Sequence, residues 1–113
     1  MDAITVAAVQ LAPRPGPLTT DVVGANLAYG AEVLRRVVDD TGADLVVFPE
    51  SATTGYTTGL GAEALWQLVS DVPGPMTDPI AEVAAGLGVS VVWGTYERGE
   101  EPGRVFNLSL IHI

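Results

Sequence analysis

Glu50 is the residue of this sequence best placed to do chemistry. It follows a short apolar run, Leu45 to Phe48, which is typical of a strand buried on both faces. Pro49 cannot donate to a sheet hydrogen bond and is expected to end that strand. Because ligands of open α/β sheets bind at the carboxyl ends of strands, we expect Glu50 to be partly desolvated and able to accept a proton. From position alone, a loop cap or the partner of an arginine is the favoured role.

The composition indicates one small acidic domain. The 113 residues are 48% hydrophobic, carry a net charge of −9 and contain no run of basic residues, so a nucleic-acid-binding surface is not expected. No apolar run approaches the roughly 18 residues of a membrane span, and the first residues lack the basic start of a signal peptide. We therefore expect a cytoplasmic protein. Cysteine is absent, which excludes disulfides and thiolate metal sites, and neither a cofactor nor a metal is expected.

Apolar periodicity predicts the β-α-β unit that positions Glu50. Ile4 to Leu11 is β-branched and apolar and is predicted to be a central strand. Thr20 or Asp21 is expected to cap a helix that ends at Gly42, after which the strand at Leu45 runs parallel to the first. One face of this helix is predicted to be buried: Val23, Leu27, Ala31, Leu34 and Val38.

The second half of the sequence predicts two further strands. The Thr- and Gly-rich loop Ser51 to Gly61 leads to a short helix, and Asp78-Pro79 starts another that ends at Gly88. Val89 to Thr95 is predicted to be the third strand, and a charged turn leads to a fourth from Arg104. The glycines after Glu50 do not follow the strand-to-helix pattern of a phosphate-binding loop. The fold class is therefore α/β, with about four strands and helices on one face.

Four blocks of the sequence follow one another in a recognisable order. They are Ala7-Ala8-Val9-Gln10 with Pro13; Asn26; Gly42 to Tyr56 with its central Phe-Pro-Glu; and Gly94-Thr95-Tyr96-Glu97-Arg98 followed by Phe106-Asn107. Their order and spacing resemble those of the carbon–nitrogen hydrolase family, also called the nitrilase superfamily. The resemblance runs from about Ile4 to Asn107. Phe-Pro-Glu alone is a weak motif, whereas four ordered blocks form a specific one.

The resemblance implies both a fold and a reaction. Family members are α-β-β-α sandwiches, so this chain is expected to be the incomplete amino-terminal part of one. They hydrolyse amide, nitrile or ureido compounds with a Glu, a Lys and a Cys, and usually form homo-oligomers. On this basis Glu50 corresponds to the general base that activates the Cys thiol, which is mostly protonated at neutral pH. Tyr56, in the loop that borders the family's pocket, is a candidate substrate contact, although an aromatic loop anchor explains it equally well.

Two of the three family catalytic residues are absent from this sequence. All five basic residues are arginines, and there is no lysine and no cysteine. Arginine is a poor substitute for a catalytic lysine because its planar, forked head differs in shape and charge distribution. The chain is therefore expected to be inactive alone, and residues 1–107 to be the amino-terminal portion of a longer hydrolase. Two alternatives stay open: a small α/β binding module of flavodoxin or receiver type, and a regulatory pseudo-enzyme.

The last six residues, Leu108 to Ile113, depart from the family pattern. They are also what a common transposon-end sequencing adapter encodes in this frame, so we interpret them as a non-native tail produced by read-through. The competing interpretation is a natural apolar strand. On the adapter interpretation His112, the only histidine, has no functional role.

Glu97 supplies a second carboxylate in the family-like blocks. An acid–base pair with Glu50, of the kind found in glycosidases, is one interpretation. A surface or strand-end ion pair is the favoured one. Since a half-sandwich lacks the sheet that covers it, we also expect exposed apolar surface and an unpaired sheet edge.

Overall fold

The computed structural model describes residues 3–12, 17–55 and 58–113, and it shows a four-stranded sheet with three helices. The sheet order is β1-β2-β3-β4, with β1 to β3 parallel and β4 antiparallel to β3. The predicted α/β fold class is thus confirmed. In chain order the elements are β1 (Val6–Ala8), α1 (Thr20–Thr41), β2 (Leu45–Val47), α2 (Ala62–Leu68), α3 (Asp78–Leu87), β3 (Ser90–Arg98) and β4 (Val105–His112).

The first strand is shorter than predicted and lies at an edge of the sheet. It covers three residues and pairs only with β2, through the register Val6 with Leu45 and Ala8 with Val47. Val6 is 51% exposed. The expectation of a central strand over Ile4 to Leu11 is therefore wrong. Apolar, β-branched sequence indicates a strand but does not report how many neighbours the strand has.

Helix α1 begins and ends at residues that satisfy its free backbone groups. Thr19 is the N-cap, and its hydroxyl accepts a hydrogen bond from the backbone N–H of Val22 at 3.2 Å. At the other end Gly42 adopts a left-handed conformation, with φ of 66°, and its N–H donates to the carbonyl of Val38 at 2.9 Å. The predicted stop at Gly42 is confirmed, whereas the cap lies one residue before the predicted Thr20.

The core forms where α1 and α3 pack together on one face of the sheet. Val46 of β2 and Val91 and Trp93 of β3 point to this face and are 1% exposed or less. The Trp93 ring lies against the Phe48 ring, with centroids 4.8 Å apart. It also reaches Gly30 of α1, where the absence of a side chain leaves room for it. Trp93 therefore joins the sheet to helix α1.

The opposite face of the sheet is apolar and largely uncovered. Alternate residues of a strand point to opposite faces, so the paired residues Ala8, Val47, Val92 and Ile111 form one row across all four strands. Ala8 is exposed, Ile111 is 59% exposed, and the two residues between them are only half-buried. We name this surface the open face. It agrees with the expectation for a half-sandwich.

The tail residues 108–112 belong to β4 and are paired in register with β3, for example Leu108 with Thr95 and Ile111 with Val92. Apolar residues that alternate with polar ones form a strand whatever their origin, so this pairing does not distinguish a native tail from a non-native one. The interpretation of residues 108–113 as read-through stays a prediction. In the described part of the chain, no helix combines the length and apolar composition needed to cross a membrane.

Replacing Gly30 by alanine is expected to destabilise the chain. The added methyl group would overlap the Trp93 ring at Cη2 and lie 2.9 Å from Cζ3, so the free energy of unfolding should fall by about 1–3 kcal/mol. Gly24→Ala in the same helix is the control, because its added methyl would meet nothing within 4 Å apart from its chain neighbours and the backbone of its own helix. It should raise the stability by about 0.5–1 kcal/mol. Urea unfolding measures both, and equal effects would contradict this packing.

The open face is expected to drive self-association. Sedimentation of the chain over a range of concentrations should show association, which Ile111→Lys should weaken by placing a charge in the apolar row. Leu87→Lys is the control, since Leu87 is 41% exposed and lies at the end of α3. A monomer that melts sharply at a concentration-independent temperature would contradict the prediction.

Candidate active site

Glu50 lies on a turn directly after β2 and is the exposed residue in an otherwise buried stretch. Phe48 is 4% exposed, Ser51 1% and Ala52 2%, whereas Glu50 faces solvent. The turn therefore places a carboxylate at the carboxyl end of the parallel strands while its neighbours in sequence pack into the protein. This position agrees with the one predicted from sequence.

Backbone hydrogen bonds hold this turn against β3. The N–H of Phe48 donates to the carbonyl of Val92 at 2.9 Å, and the N–H of Ala52 donates to the carbonyl of Gly94 at 2.8 Å. Glu50 lies between these two attachment points. The N–H of Gly55 then donates to the carbonyl of Ser51 at 2.7 Å, which closes the turn. The backbone on both sides of the carboxylate is thus fixed to the neighbouring strand.

Thr53 ties the turn to the core. Its backbone carbonyl accepts a hydrogen bond from Nδ2 of Asn26 at 3.0 Å, and its hydroxyl accepts one from Nε1 of Trp93 at 2.7 Å. All three side chains are buried. Buried hydrogen bonds of this kind are costly to break, because each leaves a polar group without a partner. The helix α1, the strand β3 and the turn of Glu50 are therefore held together by one small polar network.

Ser51 has an unusual backbone and side chain. Its φ of 54° makes it the one non-glycine residue of the described chain in the left-handed region, where L side chains are disfavoured by roughly 1–2 kcal/mol. Its hydroxyl is buried and has no hydrogen-bond partner among the described residues. Two unfavourable features thus coincide at the residue next to Glu50. Such features are concentrated at functional sites.

The structure contradicts one expectation for Glu50 and does not test the expectation for Tyr56. The carboxylate is exposed, so the partial desolvation predicted from its place at a strand end is wrong for this chain. The physical reason is that the turn projects the side chain away from the surface on which its neighbours are buried. Tyr56, the candidate substrate contact, lies outside the described residues.

Glu97 forms no ion pair among the described residues, so the expected surface or strand-end ion pair is wrong. The neighbouring Arg98 forms no ion pair there either. Its guanidinium donates instead to the backbone carbonyls of Trp66 at 2.9 Å and Gln67 at 2.7 Å, and it stacks on the Trp66 ring at 5.1 Å. These carbonyls lie at the end of α2, where helical partners are missing. Within the described ranges, the ion pairs are Arg36 with Glu32 and Arg104 with Glu101, both between exposed side chains. Arg98 therefore caps a helix.

The candidate site lies on the exposed rim of the sheet, at the carboxyl ends of the parallel strands. A cavity of about 580 Å³ lies between the start of α1 and residues 68–76, but Glu50 does not line it. Among the residues that the structure describes, no cluster of three or more His, Cys, Asp or Glu side chains could hold a metal ion. The position of Glu50, and not a cavity, defines the site.

The hydrogen bond between Thr53 and Trp93 is expected to be important for stability. Thr53→Val keeps the shape of the side chain but leaves the indole N–H without its acceptor, so the free energy of unfolding should fall by about 1–3 kcal/mol. Thr95→Val is the matched control. Thr95 is equally buried, but its hydroxyl makes only a 3.5 Å contact with the carbonyl of Tyr96.

Denaturant unfolding of both variants measures the difference. A loss of stability that is the same for Thr53→Val and Thr95→Val would mean that the indole hydrogen bond adds nothing to the network.

Comparison with known proteins gives a consistent result. The model of the family described as carbon–nitrogen hydrolase matches residues 5–112. A curated relative from Pseudomonas protegens, described as "Hydrolase in pqqF 5'region", is 36% identical over 102 residues, which are 90% of this chain and 32% of the relative. A crystal structure of Saccharomyces cerevisiae Nit3, a member of branch 10 of the nitrilase superfamily, is 25% identical with a TM-score of 0.71 and matches 96% of this chain.

A second solved structure shows the same fold at lower identity. A crystal structure of an N-terminal amidase is 21% identical with a TM-score of 0.72, and the match covers 96% of this chain and 24% of that one. For Nit3 the covered share is 39%. The chain thus spans about a quarter to two fifths of the length of the relatives it matches. The fold is that of the amino-terminal part of a nitrilase-like domain, as the sequence predicts.

Proposed function

Because the chain belongs to the carbon–nitrogen hydrolase family, we propose that Glu50 is the general base of a hydrolase of non-peptide carbon–nitrogen bonds. The hydrolase is a longer protein of which this chain holds the amino-terminal portion. The 113 residues contain neither the Cys nor the Lys that the family mechanism requires. The chain alone is therefore inactive, and its contribution to catalysis is the carboxylate.

The proposed reaction uses Glu50 as a proton acceptor. The carboxylate takes the proton of a cysteine thiol, and the resulting thiolate attacks the carbon of an amide or nitrile. A lysine ammonium stabilises the negative charge that develops in the tetrahedral intermediate. With an amide, the proton held by Glu50 passes to the leaving nitrogen and ammonia or an amine leaves; with a nitrile, the thioimidate first adds one water and then loses ammonia. A thioester remains in both cases, and a further water releases the acid. The cysteine and the lysine come from the part of the domain that lies beyond this sequence.

The observation that supports this role most strongly is the isolation of Glu50 on a rigid turn. A general base must be fixed within hydrogen-bond reach of the proton it accepts. Here the backbone on both sides of Glu50 is bonded to β3, at Val92 and at Gly94, while the side chain is exposed and has no hydrogen-bond or ion-pair partner among the described residues. A carboxylate that only capped a loop would accept hydrogen bonds from nearby backbone N–H groups.

The setting of the parent enzyme is part of the same proposal. Its substrate is a small amide, nitrile or ureido compound, for which Tyr56 is a candidate contact. The enzyme is a cytoplasmic homo-oligomer and needs no cofactor. The acidic net charge of −9 argues against a nucleic-acid substrate, because phosphate contacts require clustered lysine or arginine.

The test begins with the source locus, read through codon 108 and onward. It is expected to continue to a lysine and then a cysteine in the family's blocks. In that longer protein Glu50→Gln should lower kcat by about 10²–10⁴-fold, because the thiol loses its base. Glu97→Gln is the matched control, since Glu97 is a carboxylate in β3 to which the proposal gives no part in the reaction. It should retain activity.

Two results would contradict the proposal. A Glu50→Gln enzyme with the kcat of the parent would show that another group is the base. A stop codon directly after Ile113 would exclude catalysis by this gene product. The chain would then be a binding or regulatory module, and co-purification with an intact relative would identify the regulatory case.

A further inference from the structure

The backbone of the Glu50 turn lies in direct contact with Gly94 of β3. A Cβ atom added at Gly94 would be 2.5 Å from the carbonyl oxygen of Pro49, 2.8 Å from Cα of Glu50 and 2.8 Å from the backbone nitrogen of Ser51. Real Cβ atoms essentially never approach other atoms within 3.0 Å. All three neighbours are backbone atoms, which cannot move aside as the end of a flexible side chain can. The hydrogen atom of glycine is thus the largest group that fits.

The glycine at position 94 is not required by its own backbone conformation. The described glycines with left-handed φ angles are Gly42, Gly55, Gly59, Gly88 and Gly103. Gly94 is instead in regular strand structure and is paired with Ser109 of β4, where any L residue can adopt the backbone geometry. A strand is also destabilised by an interior glycine, which lacks a side chain to pack. Glycine is therefore needed at this position because the turn occupies the space that a side chain would fill.

The same contact explains the strain at Ser51. The chain leaves β2 at Val47, passes over Gly94 and then returns so that Ala52 donates to the Gly94 carbonyl. A reversal this tight puts Ser51 at a φ of 54° and encloses its hydroxyl without a partner among the described residues. The unfavourable conformation of Ser51 is thus a consequence of the close contact between the turn and Gly94.

We infer that Gly94 is a positioning residue, which fixes the Glu50 carboxylate through a backbone-to-backbone contact, with Ser51 held in the left-handed conformation as its counterpart. The inference deepens the proposed function, since the positioning matters for catalysis only if Glu50 is the base. The geometry itself does not depend on that role. No side chain of β3 needs to touch the carboxylate, which leaves its oxygens available to other groups.

Gly94→Ala in the 113-residue chain tests the inference by NMR. The added methyl should push the turn off β3. The backbone amide signals of Glu50, Ser51 and Ala52 should shift. The strong NOE between the amide and α protons of Ser51, which marks a positive φ, should be lost. Gly24→Ala is the control, because its methyl meets nothing within 4 Å. It should leave those three signals and the NOE unchanged.

A second variant keeps the inference testable if Gly94→Ala does not fold. Ser51→Gly removes the side chain from the strained residue, so it should fold at least as well as the parent while the turn gains freedom. The ¹⁵N heteronuclear NOE of the Glu50 amide should then fall, while that of Glu63 in α2 stays constant. Added to Gly94→Ala, the Ser51→Gly substitution should recover part of the lost melting temperature without restoring the Glu50 signals.

Two outcomes would overturn the inference. In the first, Gly94→Ala folds with the Glu50 signals and the Ser51 NOE of the parent. In the second, Ser51→Gly leaves the heteronuclear NOE of Glu50 as it was. Neither readout depends on catalysis. Unchanged spectra would therefore refute the positioning alone, and an active Glu50→Gln enzyme would refute the proposed function alone.

Discussion

The hydrogen bond from the Trp93 indole to the Thr53 hydroxyl is the interaction on which the rest of the site depends. Trp93 is the largest fully buried side chain of the chain's described part, and it packs against the Phe48 ring and against Gly30 of α1. Burying an indole N–H without an acceptor is unfavourable, so the packed core requires Thr53 in one place. The loop that follows Glu50 is consequently fixed by the same residue that organises the hydrophobic core.

This arrangement separates the position of Glu50 from the environment of its carboxylate. Hydrogen bonds at Thr53, Val92 and Gly94 hold the turn against the core, so its backbone is defined within these 113 residues. The carboxylate itself faces water, and the open face of the sheet is largely uncovered by the described residues. Water screens charges and competes for hydrogen bonds, whereas catalytic bases work best in sites from which it is excluded. The chain thus supplies a carboxylate in a fixed position, which we propose is the base, and the rest of the domain is proposed to supply its surroundings.

The sequence predicted the features that depend on local signals. A short apolar run followed by proline defined β2 and placed Glu50 at its end, and a glycine after an amphipathic pattern defined the end of α1 at Gly42. What it missed depends on contacts between residues distant in sequence. The edge position of β1 is set by strand order, which a single strand's residues do not encode. The Thr53 to Trp93 bond spans 40 positions, and neither residue type signals its partner.

Arg98 is a second example of a contact that the sequence did not predict. The sequence suggested an ion pair at this strand end, yet the carbonyls at the end of α2 and the Trp66 ring bind the Arg98 guanidinium. Exposed ion pairs contribute about 0–1 kcal/mol, so a helix end that lacks hydrogen-bond donors can compete successfully for an arginine. Trp66 and a short helix in need of a cap could both be read from the sequence. Only the fold, however, brings them beside Arg98 of β3.

We expect the Glu50 turn to form within this chain, before any other part of the domain covers it. Amide hydrogen exchange of the isolated 113-residue chain tests this most directly. The amides of Ala52 and Gly55, which donate to Gly94 and Ser51, should exchange nearly as slowly as that of Phe48, which donates to Val92 of the core strand. Exchange of Ala52 and Gly55 at the rate of an unstructured loop, with Phe48 still protected, would show that the turn is not preformed and would contradict the account.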